Sequence, residues 1–393
     1  MRTKSGGTVR GAAGALSVAA GLLCGGASAL LGLCGPFTDV AADAFCPFVL
    51  EIFTLGITTG TTPTTYDPSG NVTRLQMAAF LSRTVDSALR RSSPRTIVDR
   101  LWTPRGALAG ATTVGMNPVF PACDGADVWV PNFNSSTVSR VRGSDSRLLE
   151  TWTGATGASG AVVAMDGVFV CGFSNPGALF RIRPNQSPGA VTAVATNLGS
   201  GSSGLVFDGG RFWTANYNVG SISIVVPGPS LPWTVTTVTT GFSNPIAALY
   251  DGANVWVADQ TVGKLQRLDA AGAILQTVTI GAFVGIPVFD GVNIWAPTLG
   301  GASIQVVRAP SGAVLATLTT DGWPLAAAFD GQRVLVAATG TNQSPPHSVS
   351  LWNAADLTPL GTILLDSLRP NVACSDGLNF WVTFRDDPLL LKF

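Results

Sequence analysis

YDGANVWV, at Tyr250–Val257, is one of seven copies of a single phrase. The others read CDGADVWV (Cys123–Val130), MDGVFV (Met165–Val170), FDGGRFW (Phe207–Trp213), FDGVNIWA (Phe289–Ala296), FDGQRVLV (Phe329–Val336) and SDGLNFWV (Ser375–Val382). Their aspartates, Asp124, Asp166, Asp208, Asp251, Asp290, Asp330 and Asp376, are spaced 42, 42, 43, 39, 40 and 46 residues apart. A period in this range with strand-like content predicts a propeller rather than helical repeats. The copy at Asp290 shows the plan. Pro287–Phe289, Asn293–Ala296, Ser303–Val307 and Ala313–Leu318 read as four short strands joined by Gly- and Asp-rich turns.

The phrase has mechanical logic. The turn needs positive φ, which Gly takes freely, and the Asp carboxylate can accept from the turn's own N–H groups. Trp129, Trp213, Trp256, Trp295 and Trp381 follow their aspartates by five residues. Phe169 fills this position in the second blade after a deletion, and Leu335 fills it in the sixth. They read as packing between blades, with an aromatic sugar platform as the alternative. The last unit supplies only three strands before the chain stops at Phe393. The stretch 106–115, GALAGATTVG, is therefore expected to complete the seventh blade as its outer strand. Cys123 and Cys374 would then lie on neighbouring blades, where a disulfide would lock the ring; the alternative is two separately buried thiols. Cys171 has no clear partner.

Outward from the repeats, the fold class is mainly β. A seven-bladed β-propeller is expected over 106–393, a linker over 91–105, a small α-helical module over 34–90 and a signal peptide over 1–29. Arg2, Lys4 and Arg10 precede an apolar stretch and the small residues Ala27-Ser28-Ala29, the pattern of an export signal. No other segment reads as transmembrane. Lys plus Arg and Asp plus Glu number 23 each, so no basic surplus points to nucleic acid. In the module, Phe45, Phe48, Val49, Ile52 and Phe53 have helical spacing. Thr73 stands three residues before Gln76, a capping box opening a second helix. Two such helices bury little, so the module is expected to need a partner or a neighbouring copy. Cys34 and Cys46 flank its first part and suit a disulfide in an exported chain.

The residues Phe37-x-Asp39-Val40, Gly56-Ile57-Thr58-x-Gly60, Tyr66-x-Pro68 and Val72-Thr73-Arg74-x-Gln76-Met77-Ala78 resemble an S-layer homology (SLH) module. The resemblance implies docking to cell-envelope polysaccharide, with Thr73, Arg74 and Gln76 at the sugar site; Gln76 replaces the usual acidic residue. The blades resemble YVTN/NHL-like and streptogramin-lyase-like bacterial propellers.

Chemistry is sparse in the sequence. The single histidine, His347, falls in a Pro- and Gln-containing stretch that reads as a solvated surface loop. No metal, cofactor or catalytic motif stands out. The residues after each second strand, Asn132, Ser174, Asn216, Asp259, Thr298 and Arg385, would lie near one end of the ring, where propeller ligands often bind. The expectation is an exported, non-enzymatic surface protein. Its module would associate with envelope polysaccharide, and its propeller would bind a ligand or surface protein. The alternative is a propeller lyase or polysaccharide-acting enzyme with a site at the central channel mouth.

Overall fold

A computed structural model describes residues 36–40, 45–54, 57–81, 84, 110–340 and 346–393. The proposed signal peptide, the linker and Cys34 lie outside the described residues. The chain divides into two compact units, 1–100 and 101–393.

The second unit is a propeller of seven four-stranded sheets. Blade 4 is representative: Pro245–Tyr250, Val255–Asp259, Lys264–Leu268 and Ile274–Thr279 run antiparallel from the axis outward. The innermost strands are Ala122–Cys123, Ala158–Ala164, Ser202–Phe207, Pro245–Tyr250, Val288–Phe289, Trp323–Phe329 and Pro370–Ser375. Each contacts the next, and the last contacts the first, so the ring is closed. In blade 7 the fourth strand is Ala111–Thr113, paired antiparallel with Leu389–Lys392 in the register Ala111↔Leu391. The first strand of the chain thus completes the sheet that the last residues begin.

The seven sheets are glued by apolar seams rather than by one central core. Trp256 of blade 4 clusters with Ile294, Ala296 and Val307 of blade 5. Trp129 does the same with Val168 and Val170 of blade 2, and Trp381 with Val128 and Val130 of blade 1. All five repeat tryptophans are fully buried. Where the tryptophan is missing, Phe169 packs 4.4 Å, centroid to centroid, from Phe212 of blade 3. A flat aromatic or branched side chain at this register fills the wedge between two twisted sheets.

Cys123 and Cys374 form a disulfide across the seam between blades 1 and 7, with Cα atoms 6.5 Å apart. Cys171 is buried under blade 3, its thiol near the Ser203 carbonyl at 3.2 Å, and burial pushes its pKa up to about 12. A thiol so shielded is inert toward oxidants and metals.

In the first unit, the helix Cys46–Thr54 and the helical residues 74–81 match the expected pair. Phe37 is buried against Phe53 and Tyr66 at ring distances of 5.2 and 5.7 Å. The capping box is formed: the Thr73 N–H donates to Gln76 Oε1 at 2.8 Å, and the Gln76 N–H donates to Thr73 Oγ1 at 3.2 Å.

Candidate functional sites

The face carrying the Asp-Gly turns is built for cohesion. Asp251 Oδ1 accepts from the Ala253 and Asn254 N–H groups at 2.9 and 2.7 Å, and Oδ2 accepts from Trp256 Nε1 at 2.8 Å. Asp124, Asp208, Asp290 and Asp376 hold their own turns and their own indoles, also at 2.8 Å. One carboxylate therefore ties a tight turn to the aromatic wedge of the same sheet, a link the sequence reading did not draw. The five-residue offset was its visible trace. In blade 6, Asp330 Oδ2 accepts from Arg333 Nε at 2.8 Å instead, because the Leu335 side chain has no donor. Blade 2 departs from the expected turn. There Met165 and Asp166 take positive φ, 47° and 61°, and Gly167 is already in the strand. Asp166 stands three residues before its aromatic instead of five, and the turn falls on Met165-Asp166, so Asp166 does not reach round as the others do.

Cations reinforce the seams. Arg267 lies 5.8 Å over Trp256 and donates to the Pro310 carbonyl of blade 5 at 3.0 Å. Lys392 lies 5.3 Å over Trp381 and donates to Gly143 of blade 1 at 2.7 Å. Arg211 lies over Trp213 and donates to Ala270 of blade 4. Each side chain covers a buried indole and reaches the next blade's outer turn.

Two predictions follow from these contacts. Asp251→Ala strands a buried indole N–H and two turn N–H groups, and is expected to destabilise the propeller by about 2–4 kcal/mol. Urea melts measure this, and a loss under about 0.5 kcal/mol would refute the role. The second concerns acid. Burial works to raise the carboxyls of Asp124, Asp208 and Asp376, but indole and backbone N–H donors outweigh it and hold all three below the ordinary value. A depressed carboxyl contributes stability above its unfolded pKa and loses it as pH falls through the folded value. The thermal midpoint is therefore expected to hold down to about pH 4 and to drop below it. In Asp376→Asn that acid loss should be smaller.

The opposite face, at the channel mouth, is mostly spent on structure too. Asn132 donates to Thr137 and Ser139 at 3.1 and 3.0 Å, and Asn216 donates to Ser221 and Ser223 at 3.0 and 2.9 Å. Asp259 accepts from the Ser243 and Asn244 N–H groups at 2.7 and 2.8 Å. Thr298 pairs with Ser303 at 2.8 Å, and the Ser174 hydroxyl donates to the Pro176 carbonyl at 2.8 Å. All but Ser174 of these second-strand residues are fully or almost fully buried.

The symmetry breaks over the seam between blades 6 and 7. His347 is buried, 3% exposed, which corrects its reading as a solvated loop residue. It sits at the start of the third strand of blade 6, where its backbone bonds to Leu365 fold it inward at 2.8 Å. Its Nδ1 accepts the Gly340 N–H at 3.0 Å, so the neutral ring carries its proton on Nε2. Burial lowers its pKa, the Arg369 charge lowers it further, and Asp386 works against both. Arg369 immediately precedes the innermost strand of blade 7, Arg385 follows the second strand, and the Arg385 N–H donates to the Arg369 carbonyl at 3.0 Å. Arg369 pairs with the exposed Asp386 at 3.7 Å. Of the mouth residues named from sequence, Arg385 joins this group.

In the first unit, Thr73 and Arg74 open the second helix, with Arg74 exposed beside the capping box. Asp39 accepts from the Tyr66 and Asp67 N–H groups at 2.9 and 2.7 Å, which lowers its pKa and closes the loop in front of that helix.

An S-layer homology domain model matches residues 36–78. A search of curated protein sequences found no match. Among solved structures, a catalytically inactive histidine-to-alanine virginiamycin B lyase from Staphylococcus aureus, with quinupristin, aligns at TM-score 0.57 and 13% identity, covering 72% of this chain and 98% of that one. Hydrazine synthase of Kuenenia stuttgartiensis aligns at TM-score 0.57 and 14% identity, covering 74% and 98%. The WD40 propeller domain of Doa1 aligns at TM-score 0.57 and 13% identity, covering 73% and 94%. Lyases and a synthase thus share this fold as closely as a WD40 propeller does, and the expectation of a non-enzymatic chain is overturned. The single histidine, read from sequence as solvated, is buried and feels the charges of Arg369 and Asp386. No helix among the described residues is long and apolar enough to cross a membrane. The chain carries an N-terminal SLH domain, the mark of proteins held at the bacterial cell surface, followed by a seven-bladed propeller of the architecture seen in streptogramin-lyase-type enzymes.

Proposed function

We propose that this chain acts on a polysaccharide at the cell surface, held there by its SLH domain, with its working site at the channel mouth over the seam between blades 6 and 7. The observation that carries the reading is the departure from seven-fold repetition at His347, Arg369, Arg385 and Asp386. Elsewhere on the mouth the polar groups are consumed by neighbouring strands. Here two guanidiniums and an imidazole N–H supply donors for an acidic group. An elimination beside a sugar carboxylate needs that carboxylate's charge stabilised as the α-proton passes to a base, the bond to the β-linked glycosidic oxygen breaks, and that oxygen leaves with a proton from water. The Nε2 tautomer makes His347 a donor in this step, so the proton acceptor falls to a neighbouring carboxylate, Asp386 or Asp387. For docking, Thr73, Arg74 and Gln76 would meet an acidic sugar substituent of the cell wall, with the Arg74 fork as the charged contact.

The test is incubation of the full chain with acidic polysaccharides, following the ultraviolet absorbance of new carbon–carbon double bonds. Activity is expected, and Arg369→Ala should lower it by about 10²–10³-fold. Absence of both cleavage and binding, or an Arg369→Ala variant as active as the parent, would sink the reading. Arg74→Ala should weaken co-sedimentation with cell walls without touching cleavage.

A further inference from the structure

A cleft of about 190 Å³ opens on the turn face, between the first turn of blade 3 and the outer turn of blade 4. It lies on the face opposite the channel mouth and does not depend on the reading of that mouth. In blades 4 and 7 the third-strand residue across from the tryptophan is a cation, in the pairs Trp256↔Arg267 and Trp381↔Lys392, and its stem fills the seam. In blade 3 that position is Ile224, paired with Trp213. The cation comes instead from the turn, as Arg211, which spans from Asp208 at 3.0 Å to the Ala270 carbonyl and leaves room beside it.

The lining mixes donors, acceptors and a ring. Asn254 follows the same turn position as Asn293 and Asn379. Those two amides fold back onto Asp290 and Asp376 at 3.4 and 3.0 Å, whereas the side chain of Asn254 makes no hydrogen bond. Asp269 uses Oδ1 for the Ala271 and Ala273 N–H groups at 2.9 and 2.8 Å, and its second oxygen stays open to the cleft. Tyr250, half-buried, anchors its hydroxyl on the Gly252 carbonyl at 2.8 Å and so presents a fixed ring. Two carboxylates repel phosphates and acidic sugars, while the adjacent guanidinium repels a bare cation. What remains complementary is a neutral ligand carrying closely spaced hydroxyls on an apolar ring face.

We propose that this cleft binds a neutral pyranose, its ring face on Tyr250 and its hydroxyls shared by Asn254, Asp269 and Arg211. It would give the propeller a glycan foothold separate from the site where acidic polymer is acted on.

The experiment is titration of the full chain with neutral cellotriose and chitotriose, with trigalacturonate as the acidic comparison, read by ligand-observed saturation-transfer NMR and calorimetry. At least one neutral trimer is expected to bind saturably. Asn254→Ala, whose lost side chain bonds nothing in the fold, should weaken that binding roughly threefold to tenfold with an unchanged thermal midpoint. Tyr250→Ala should weaken it further, and Arg369→Ala at the mouth should leave it unaltered. No binding by either neutral trimer, binding indifferent to both cleft variants, or binding lost in Arg369→Ala would each overturn the proposal.

Discussion

Removal of residues 386–393 unfolds the propeller instead of shortening it. The last strand, Leu389–Lys392, is the only bridge between the second strand of blade 7 and the strand Ala111–Thr113. Leu390 belongs to the seam with blade 1 and Leu391 to the seam with blade 6, and both are fully buried. Each buried leucine contributes about 1.5–3 kcal/mol, before any strand hydrogen bond is counted. Phe393 adds a reciprocal backbone pair with Phe380 at 2.8 and 3.1 Å, and Lys392 its bond to Gly143. The sum is of the order of a whole domain's net stability, about 5–15 kcal/mol. The loss also frees Ala111–Thr113 and exposes two strand edges at once. The truncated chain should lose its cooperative tryptophan-fluorescence melt and be cut rapidly by protease within 110–385. A cooperative transition within about 5 °C of the full chain would show that the ring does not depend on this splice.

The second large effect is expected from the disulfide. Cys123 and Cys374 are separated by 251 residues, and both sit on innermost strands, so the bond closes nearly the entire propeller into one covalent loop. Loop-closure entropy sets its contribution at about 5 kcal/mol at most. The strand splice already holds the same two ends together in the folded state, but it vanishes on unfolding, whereas the disulfide persists and restricts the unfolded chain. The double variant Cys123→Ser/Cys374→Ser is therefore expected to fold, to keep its blade count, and to melt about 10 °C lower. A reducing agent should reproduce the shift in the parent and do nothing to the variant. Equal midpoints for parent and variant would mean that closure is carried by the strand alone.

How far the fold was legible follows from the distance over which each feature is encoded. The blade is a local object. Asn293–Thr298, Ser303–Arg308 and Ala313–Thr319 lie within a residue or two of the strands read from alternation and turn residues. The turn aspartates were legible as turn formers, but their second bond, to an indole five residues on, is a matter of side-chain reach that spacing only hints at. Blade 2 shows the limit even of a repeated motif. Two residues fewer separate its aspartate from its aromatic, and its turn falls on Met165-Asp166 while the letters still look alike.

The candidate site was less legible, because it is assembled from residues that no motif joins. His347 follows a proline-rich run that suggests exposure, yet its backbone is drawn in by Leu365 and its ring by Gly340. Arg369 and Asp386 come together across the innermost and second strands of the next blade. Their proximity depends on how two sheets stand side by side.

The sequence alone determined seven blades, the apolar residue at each seam and the splice of first strand to last, because each is written in short-range periodicity or in the count of strands that a closed ring requires; the SLH domain was legible through its family resemblance. The tertiary structure decided that Cys123 and Cys374 are joined, that the only histidine is buried among charges at the mouth, and that a cleft opens beside Arg211 between blades 3 and 4. Those facts belong to the seams between sheets, where residues far apart in the chain meet at distances that local patterning does not specify.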